Sequence, residues 1–334
     1  MTAVRVHLIT AAAHADGQGH LSREATLAAA LARFGVEVTV RMLRGAPTDG
    51  QRARLAAIGA RLELGAGAPL LGAVAVVDLP DPNEVAADLD PERLVVFDDR
   101  ETYRGRAAVV VQPSLPRWSG PADAARVLEG YRWVPIRAGL VAGARAASAA
   151  VIAPAPVVVC FGGSDPDDVA SRLVPAVADA VRTVLAAPTG AGRVPPATTA
   201  VVGPGYRGRL AEGKAWTLLR DPADLDRRLA GARVALVGAG TMKFELAVLG
   251  IPTVSVAVAD DQLVAGPVFA TTGATRFVGD GRTVDPGQVA RAVADLVVDS
   301  TSLQQMRQAA RGALDGAGAD RLARVILEVA RGTG

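Results

Sequence analysis

The sequence predicts an α/β protein made of two facing, doubly wound parallel-sheet domains with a cleft between them, and three observations predict it. Short apolar runs rich in Val and Ile alternate with longer stretches of helical periodicity, the pattern of parallel strands joined by crossover helices. The pattern fills the N-terminal half, lapses, and restarts in the C-terminal half without a strong repeat in sequence. At 334 residues the chain also exceeds what one hydrophobic core usually organises.

In the first half, the runs at 4–10, 37–41, 74–78, 94–97 and 108–112 are expected strands, apolar enough to be buried on both faces. Residues 20–34 are an expected helix, with Leu27, Leu31 and Phe34 on one stripe and Gly35 as its stop. The longest apolar segment, 66–79, falls short of the roughly 20 residues a membrane span requires and reads as a loop leading into a buried strand. Residues 113–135 are less regular, and a small-residue helix at 138–150 precedes Pro154 and Pro156. The boundary is placed there, giving domains 1–150 and 151–334, with the last helix expected to pack back on the first domain. The second half offers strands at 157–161, 199–202, 216–218, 234–237 and 253–256. Its helices are expected at 166–185, from Thr241, from Asp261, and at 286–298, 302–313 and 320–331, with a Pro/Gly-rich surface loop at 187–196.

Composition narrows the function classes. Half the residues are hydrophobic, 21% are charged and the net charge is +2 with basic residues scattered, so a nucleic-acid surface is not expected. The single cysteine, Cys160, lies in an apolar run and reads as a small core residue. His7, His14 and Asp16 interrupt any export-signal pattern, so a cytoplasmic location is expected.

In doubly wound sheets ligands bind beyond the carboxyl ends of the strands, so the strand-to-helix loops are the place to look. The first loop ends Gly17-Gln-Gly19-His20-Leu-Ser-Arg23. Its two glycines permit a tight turn, and a histidine at a helix N-terminus stays neutral and able to take a proton. Spacing alone leaves two readings of His20 open, a general base or a solvated helix-start residue. His7, inside a strand, is expected to be a hydrogen-bonded core residue and His14 a loop residue. Ser22 breaks a G-x-G-x-x-G fingerprint, and Arg41 stands where the second strand of a dinucleotide site carries an acid, so NAD binding is not expected.

The second loop, Phe161-Gly-Gly163-Ser164-Asp165-Pro-Asp-Asp168, offers Asp165 as N-cap and Pro166 as first helical residue. The Asp165/Asp167 and Asp88/Asp90 pairs read as surface carboxylates, which leaves Gly162, Gly163 and Ser164 for an uncharged part of a ligand. The third loop, Gly238-Ala-Gly240-Thr241-Met242-Lys243-Phe-Glu245, has no acid in its first helical turn. Helix amides, a hydroxyl and the Lys243 cation make an expected phosphate cradle, and Glu245, one turn beyond Thr241, suits a ribose. A capped helix with a solvated Glu is the other reading. In the fourth loop Asp260 or Asp261 is an expected cap, and Gln262 can both donate to and accept from sugar hydroxyls.

Taken in order, Gly17-x-Gly19-His20-x-x-Arg23, Asp98-Asp99-Arg100, Gly130-Tyr131 with Arg137, Phe161-Gly-Gly163-Ser164-Asp165, Val202-Gly-Pro204, and Gly240-Thr241 to Glu245 with Gly250-Ile-Pro252 and Gln262 form a recognisable series. It resembles the UDP-sugar hydrolase of pseudaminic acid biosynthesis, a member of the GT-B glycosyltransferase superfamily with two facing Rossmann-like domains. The resemblance implies a nucleoside-diphosphate sugar, UDP-linked, as ligand, with Thr241 on the diphosphate, Glu245 on the ribose and Gln262 near the sugar. It implies His20 as the base for inverting attack of water on the anomeric carbon, and no metal or other cofactor. The remaining expected contacts are Gly17, Gly19, Arg23, Asp99, Arg137, Gly163, Ser164, Gly240, Met242 and Asp261. Leu79-Pro80 replaces an aromatic usual in that family, and Met242 a second hydroxyl. Two other readings stand beside hydrolysis: sugar transfer to an acceptor, and a non-catalytic nucleotide-sugar sensor.

Overall fold

The computed structural model describes residues 4–12, 18–65, 70, 72–147, 157–186 and 198–332, the side chains of 144–147 excepted. The chain divides into two units, Met1–Arg137 with Gly316–Gly334, and Ala138–Asp315. Each carries one parallel sheet wound on both sides, so the fold is α/β with two Rossmann-like domains.

The first unit runs β1 (Arg5–Ala12), α1 (Gly19–Ala32), β2 (Glu37–Gly45), α2 (Asp49–Ala57), β3 (Arg61–Leu64), β4 (Val74–Asp78), α3 (Asn83–Ala86), β5 (Leu94–Phe97), β6 (Arg106–Gln112) and β7 (Asp123–Glu129). The strands lie in the order β3-β2-β1-β4-β5-β6-β7, all parallel. Strand order therefore reverses between β1 and β4, the switch point beside which such sheets open a crevice. One face, with Val6, Leu8, Val74 and Val76, packs under Leu21, Leu27 and Leu31 of α1 and under Leu322 and Ile326 of the chain's last helix. The other holds Ile9, Ala75, Val77, Leu94 and Tyr103.

The second unit runs α4 (Ala138–Ala147), β8 (Val157–Cys160), α5 (Val169–Ala186), β9 (Thr198–Val202), β10 (Trp216–Arg220), α6 (Leu225–Ala230), β11 (Val234–Gly238), α7 (Thr241–Leu249), β12 (Thr253–Ala257), α8 (Asp260–Ala270), β13 (Thr275–Asp280), α9 (Pro286–Val298) and α10 (Ser300–Ala313); α11 (Gly318–Arg331) then lies with the first unit. The parallel order is β10-β9-β8-β11-β12-β13, with its own reversal between β8 and β11. Helix α4 packs on α6 and α7. Cys160, 2% exposed, is a core residue as its apolar run requires.

Several sequence expectations need correction. Phe34 is 44% exposed and does not extend the buried stripe of α1, because the helix ends at Ala32 and the chain turns out through Gly35 at φ 70°. Strands β1 and β2 are not apolar on both faces: His7 and Arg41 interrupt them, and Arg41 is buried against Glu63 of β3 at 2.9 Å. His7 is half-buried and its Nδ1 has no partner among the described residues, contrary to the hydrogen-bonded core residue expected. Burial, then the Arg41 guanidinium, pushes its pKa down. Helix α5 starts at Val169, not at Pro166, and Asp165 is buried, not on the surface. Its carboxylate accepts from the amides of Val169 (3.0 Å) and Ala170 (2.8 Å), which caps the helix across a turn whose ends, Asp165 and Asp168, both have positive φ. Asp167, Asp88 and Asp90 are exposed. The stretch 113–135 contains β7, and α2, β3, α3, α6 and β13 also add to the elements the sequence suggested. His14, Gly17, the 187–196 loop and residues 148–150 of the expected fourth helix lie outside the described residues.

Candidate functional site

In the first unit the candidate side chains gather at the carboxyl ends of β4 and β5 and the start of α1, beside the β1/β4 reversal. Helix α1 begins at Gly19 without a side-chain cap, so His20 and Arg23 occupy its first turn on neighbouring positions of one face. Asp78 ends β4 and is fully buried beneath them. His20 Nδ1 lies 2.7 Å from Asp78 Oδ1, and Arg23 Nε donates to Asp78 Oδ2 at 2.7 Å while its Nη2 donates to Oδ1 at 2.5 Å. The same guanidinium meets Asp99 Oδ2 at 2.7 Å and stacks over the Phe97 ring, 4.6 Å from its centroid. Asp99 Oδ1 accepts from the Ser114 hydroxyl at 2.6 Å.

Burial works against the charge of Asp78, but the Arg23 guanidinium and then His20 overcome it and hold the carboxyl well below the usual carboxylate range. Burial likewise opposes the charge of Arg23, and the Asp78 and Asp99 carboxylates reverse that and raise its pKa well above normal. An ionised Asp78 can only accept, so Nδ1 of His20 must donate its hydrogen to it. The neutral imidazole then carries its lone pair on Nε2, and the ring, 20% exposed, is reachable from solvent. Such an imidazole is held at Nδ1 and keeps Nε2 as its acceptor, a geometry that could take a proton.

Neighbouring loops are braced without touching the imidazole. Asp98, 1% exposed, accepts from the Thr102 amide (2.8 Å) and Trp118 Nε1 (3.0 Å), and Gln112 Nε2 donates to its carbonyl at 2.9 Å. That fixes the turn from which Asp99 projects. Gln18 is held by Gln51 Nε2 at 2.7 Å, a residue that also completes the capping box of α2 with Thr48. Arg137, half-buried, sits on the segment before α4.

In the second unit, two strand-to-helix loops flank the β8/β11 reversal. After β8, Gly162 takes φ 91° and the Gly163 carbonyl accepts from the Gly205 amide at 2.8 Å. A Cβ at Gly203 would lie 2.4 Å from Gly163 Cα, so this loop is closed by backbone contact; Ser164 is 3% exposed. Tyr206 donates to Asp168 at 2.5 Å, and burial with that carboxylate pushes the phenol up to about 12.

After β11, Gly240 precedes α7 and supplies no side-chain cap, and the first turn contains no acid. The leading amides are left for solvent or a ligand, and the helix dipole favours an anion there. Thr241 and Met242 are half-buried at this end, and Glu245, 6% exposed, lies one turn on, so a solvated glutamate is not what the fold builds. Gln262 leans over the loop: its Oε1 accepts from the Val258 amide at 3.1 Å, and a Cβ on Gly240 would come within 3.1 Å of its Nε2. Lys243 corrects the expected cradle. It is 2% exposed, its Nζ donates to the Ala239 carbonyl, and it stands over the Phe244 ring at 4.2 Å, turned into the unit and away from a surface phosphate. Asp260 and Asp261 do not cap α8; Ala259 occupies that position, Asp260 pairs with Arg282 at 2.8 Å, and Asp261 is half-buried in the first turn.

The described residues contain no cluster of three metal-binding side chains and no helix long and apolar enough to cross a membrane. Asp78, which belongs to none of the loop motifs, completes the first-unit cluster. The signal for Asp78 was present, a lone carboxylate ending the fully apolar run of β4.

No protein-family model and no curated protein matches the chain. Solved structures do. MurG of Acinetobacter baumannii is similar over 97% of this chain and 99% of that one, at 15% identity and a TM-score of 0.59. The glycosyltransferase of kitacinnamycin follows with 98% and 99% coverage, 16% identity and a TM-score of 0.57. CalG4, the calicheamicin glycosyltransferase, matches with 99% and 98% coverage, 15% identity and a TM-score of 0.56. At such identities the likeness is one of fold, and the fold of this chain is of the GT-B type.

Proposed function

We propose that the protein is an enzyme that transfers a sugar from a nucleoside-diphosphate donor to an acceptor hydroxyl or amine. The observation that carries this is the His20–Asp78 pair, which holds the imidazole by its Nδ1 at the switch point of the first sheet. Nε2 takes the acceptor's proton as its oxygen or nitrogen bonds to the anomeric carbon. The anomeric C–O bond breaks and its electron pair leaves on the diphosphate. On this reading the second unit supplies the donor contacts: the leading amides of α7 and Thr241 for the diphosphate, Glu245 for the ribose and Gln262 for the sugar. Support comes from the fold shared with proteins whose names record glycosyltransferases.

Hydrolysis, with water as acceptor, is the second reading, favoured by the likeness of the Gly19-His20-x-x-Arg23 and Phe161-Gly-Gly163-Ser164-Asp165 motifs to the UDP-sugar hydrolase. Purified protein is incubated with a panel of UDP-, TDP- and GDP-sugars, with and without a library of acceptors, and nucleotide release is followed. Release only on adding an acceptor is expected; release with water alone establishes hydrolysis. No release from any donor, or unchanged release by His20→Ala, removes the base assignment.

A further inference from the structure

Beneath His20 lies a carboxyl group that neither the fold nor the proposed reaction has yet used. Glu24 is on α1, one turn beyond His20 on the same face and next to Arg23, and it is fully buried. Neither of its carboxylate oxygens has a hydrogen-bond donor among the described residues. The polar group it meets is Asp78, itself a carboxylate. Two carboxylates in contact repel, and such a contact becomes a hydrogen bond only when one of them holds a proton.

Asp78 has room for that proton. Its carboxylate offers about four acceptor positions. His20 and Arg23 Nη2 take two on Oδ1, and Arg23 Nε takes one on Oδ2, which leaves a fourth. Asp78, fastened to a guanidinium and an imidazole, is the member of the pair that ionises. Glu24, which no cation bonds directly among the described residues, is the member that keeps the proton.

We propose that Glu24 is a neutral carboxylic acid that donates its proton to Asp78, and that through this hydrogen bond it positions Asp78 and sets the basicity of His20. Burial and then the Asp78 charge push the Glu24 carboxyl well above its usual range, with Arg23 opposing. The charged groups facing it are Asp78 from β4 and Arg23 from its own helix; from β1 the residue in register with Asp78 is Thr10, which is uncharged. By taking up part of Asp78's charge, Glu24 weakens the hold of that carboxylate on an imidazolium and keeps His20 ready to accept a proton. Its catalytic consequence rests on the base reading given above, but its protonation and its effect on His20 do not.

The test needs no substrate. The chain has three histidines, so the His20 imidazole can be followed by ¹⁵N NMR titration and assigned with His7→Gln and His14→Gln variants. Glu24→Gln replaces a neutral donor with another, and the His20 midpoint is expected to stay where it is. Glu24→Met keeps the volume and removes the donor, and the midpoint is expected to rise by about one pH unit as Asp78 regains its full charge. A fall in Glu24→Gln of about that size would show that a negative charge had been removed, and an unmoved midpoint in Glu24→Met would make Glu24 a spectator; either overturns the proposal. Should the Met variant not fold, ¹³C-carboxyl labelling of the intact protein decides, because Glu24 must show the shift of a neutral acid at pH 7. Lost activity with these results intact would instead indict the reaction assigned to the site.

Discussion

Replacing Asp78 with Asn removes one charge from the centre of the His20 cluster at nearly constant volume. Asp78 is fully buried and receives two hydrogen bonds from Arg23, at 2.7 and 2.5 Å, and one from His20 at 2.7 Å. Breaking a buried ion pair by removing one partner usually costs about 3–5 kcal/mol, because a buried charge is left uncompensated. Arg23 keeps Asp99 at 2.7 Å, so the expected loss is at the low end, about 3 kcal/mol. For a unit of this size that lowers the melting temperature by roughly 6–12 °C. Calorimetry of both proteins between pH 7 and pH 3 is the assay. The Asp78 carboxyl is held below its unfolded value, so its stabilisation is full above the unfolded range and is lost as pH falls toward the folded one. The gap between wild type and Asp78→Asn is therefore widest at pH 7 and narrows once the pH drops below about 4. Turnover falls by about 10²–10⁴, since Asn does not fix the imidazole with Nε2 unprotonated. Equal melting temperatures at pH 7, or a gap that does not depend on pH, would refute the claim that Asp78 is the charged keystone of this cluster.

Gly203→Ala forces a Cβ to within 2.4 Å of Gly163 Cα, backbone against backbone, and is expected to destabilise the second unit by about 1–3 kcal/mol in urea titration. Gly240→Ala meets only the flexible end of Gln262 at 3.1 Å; the variant should fold with a loss below about 1 kcal/mol by thermal melting, yet bind UDP more weakly by calorimetric titration. Glu245→Ala is expected to weaken UDP binding by about 1–3 kcal/mol, and an unchanged Kd would contradict the ribose contact. Tyr206 carries a phenol pushed up to about 12, so phenolate absorbance lost in Tyr206→Phe should come from the late part of the alkaline titration and not from the part near pH 10.

The central strands and long helices of this fold were legible because burial on both faces writes itself as unbroken apolar runs: 74–78 and 94–97 became β4 and β5 without adjustment. The edges were not. Strand β7, Asp-Ala-Ala-Arg-Val-Leu-Glu, exposes most of its side chains, so no apolar run was required of it and backbone pairing with β6 alone defines it. Strands β3 and β13 are likewise edge strands with mixed sequences. Helix α2 has a written signature, the Thr48-x-x-Gln51 capping box, but no apolar stripe follows it to mark a helix.

The site divides along a similar line. His20, Arg23, Thr241, Glu245 and Gln262 could be singled out from sequence because glycine-rich loops and helix starts have local chemistry that neighbouring letters reveal. Asp78 and Glu24 depend on packing between β4 and α1, residues 54 or more positions apart in sequence, and no local window contains both. Lys243 failed for the complementary reason: the letters placed a cation at a helix start, but two positions round the helix from Thr241 the side chain points to the Ala239 carbonyl and the Phe244 ring. The same helical geometry accounts for success and failure, since positions one turn apart share a face whereas positions two apart do not. A sequence search for such sites would therefore gain most by pairing each helix-start histidine with the acidic residue that ends the strand across the switch point. In this chain that rule selects Asp78, which closes β4 next to β1, over Asp98, which follows β5 one strand farther away.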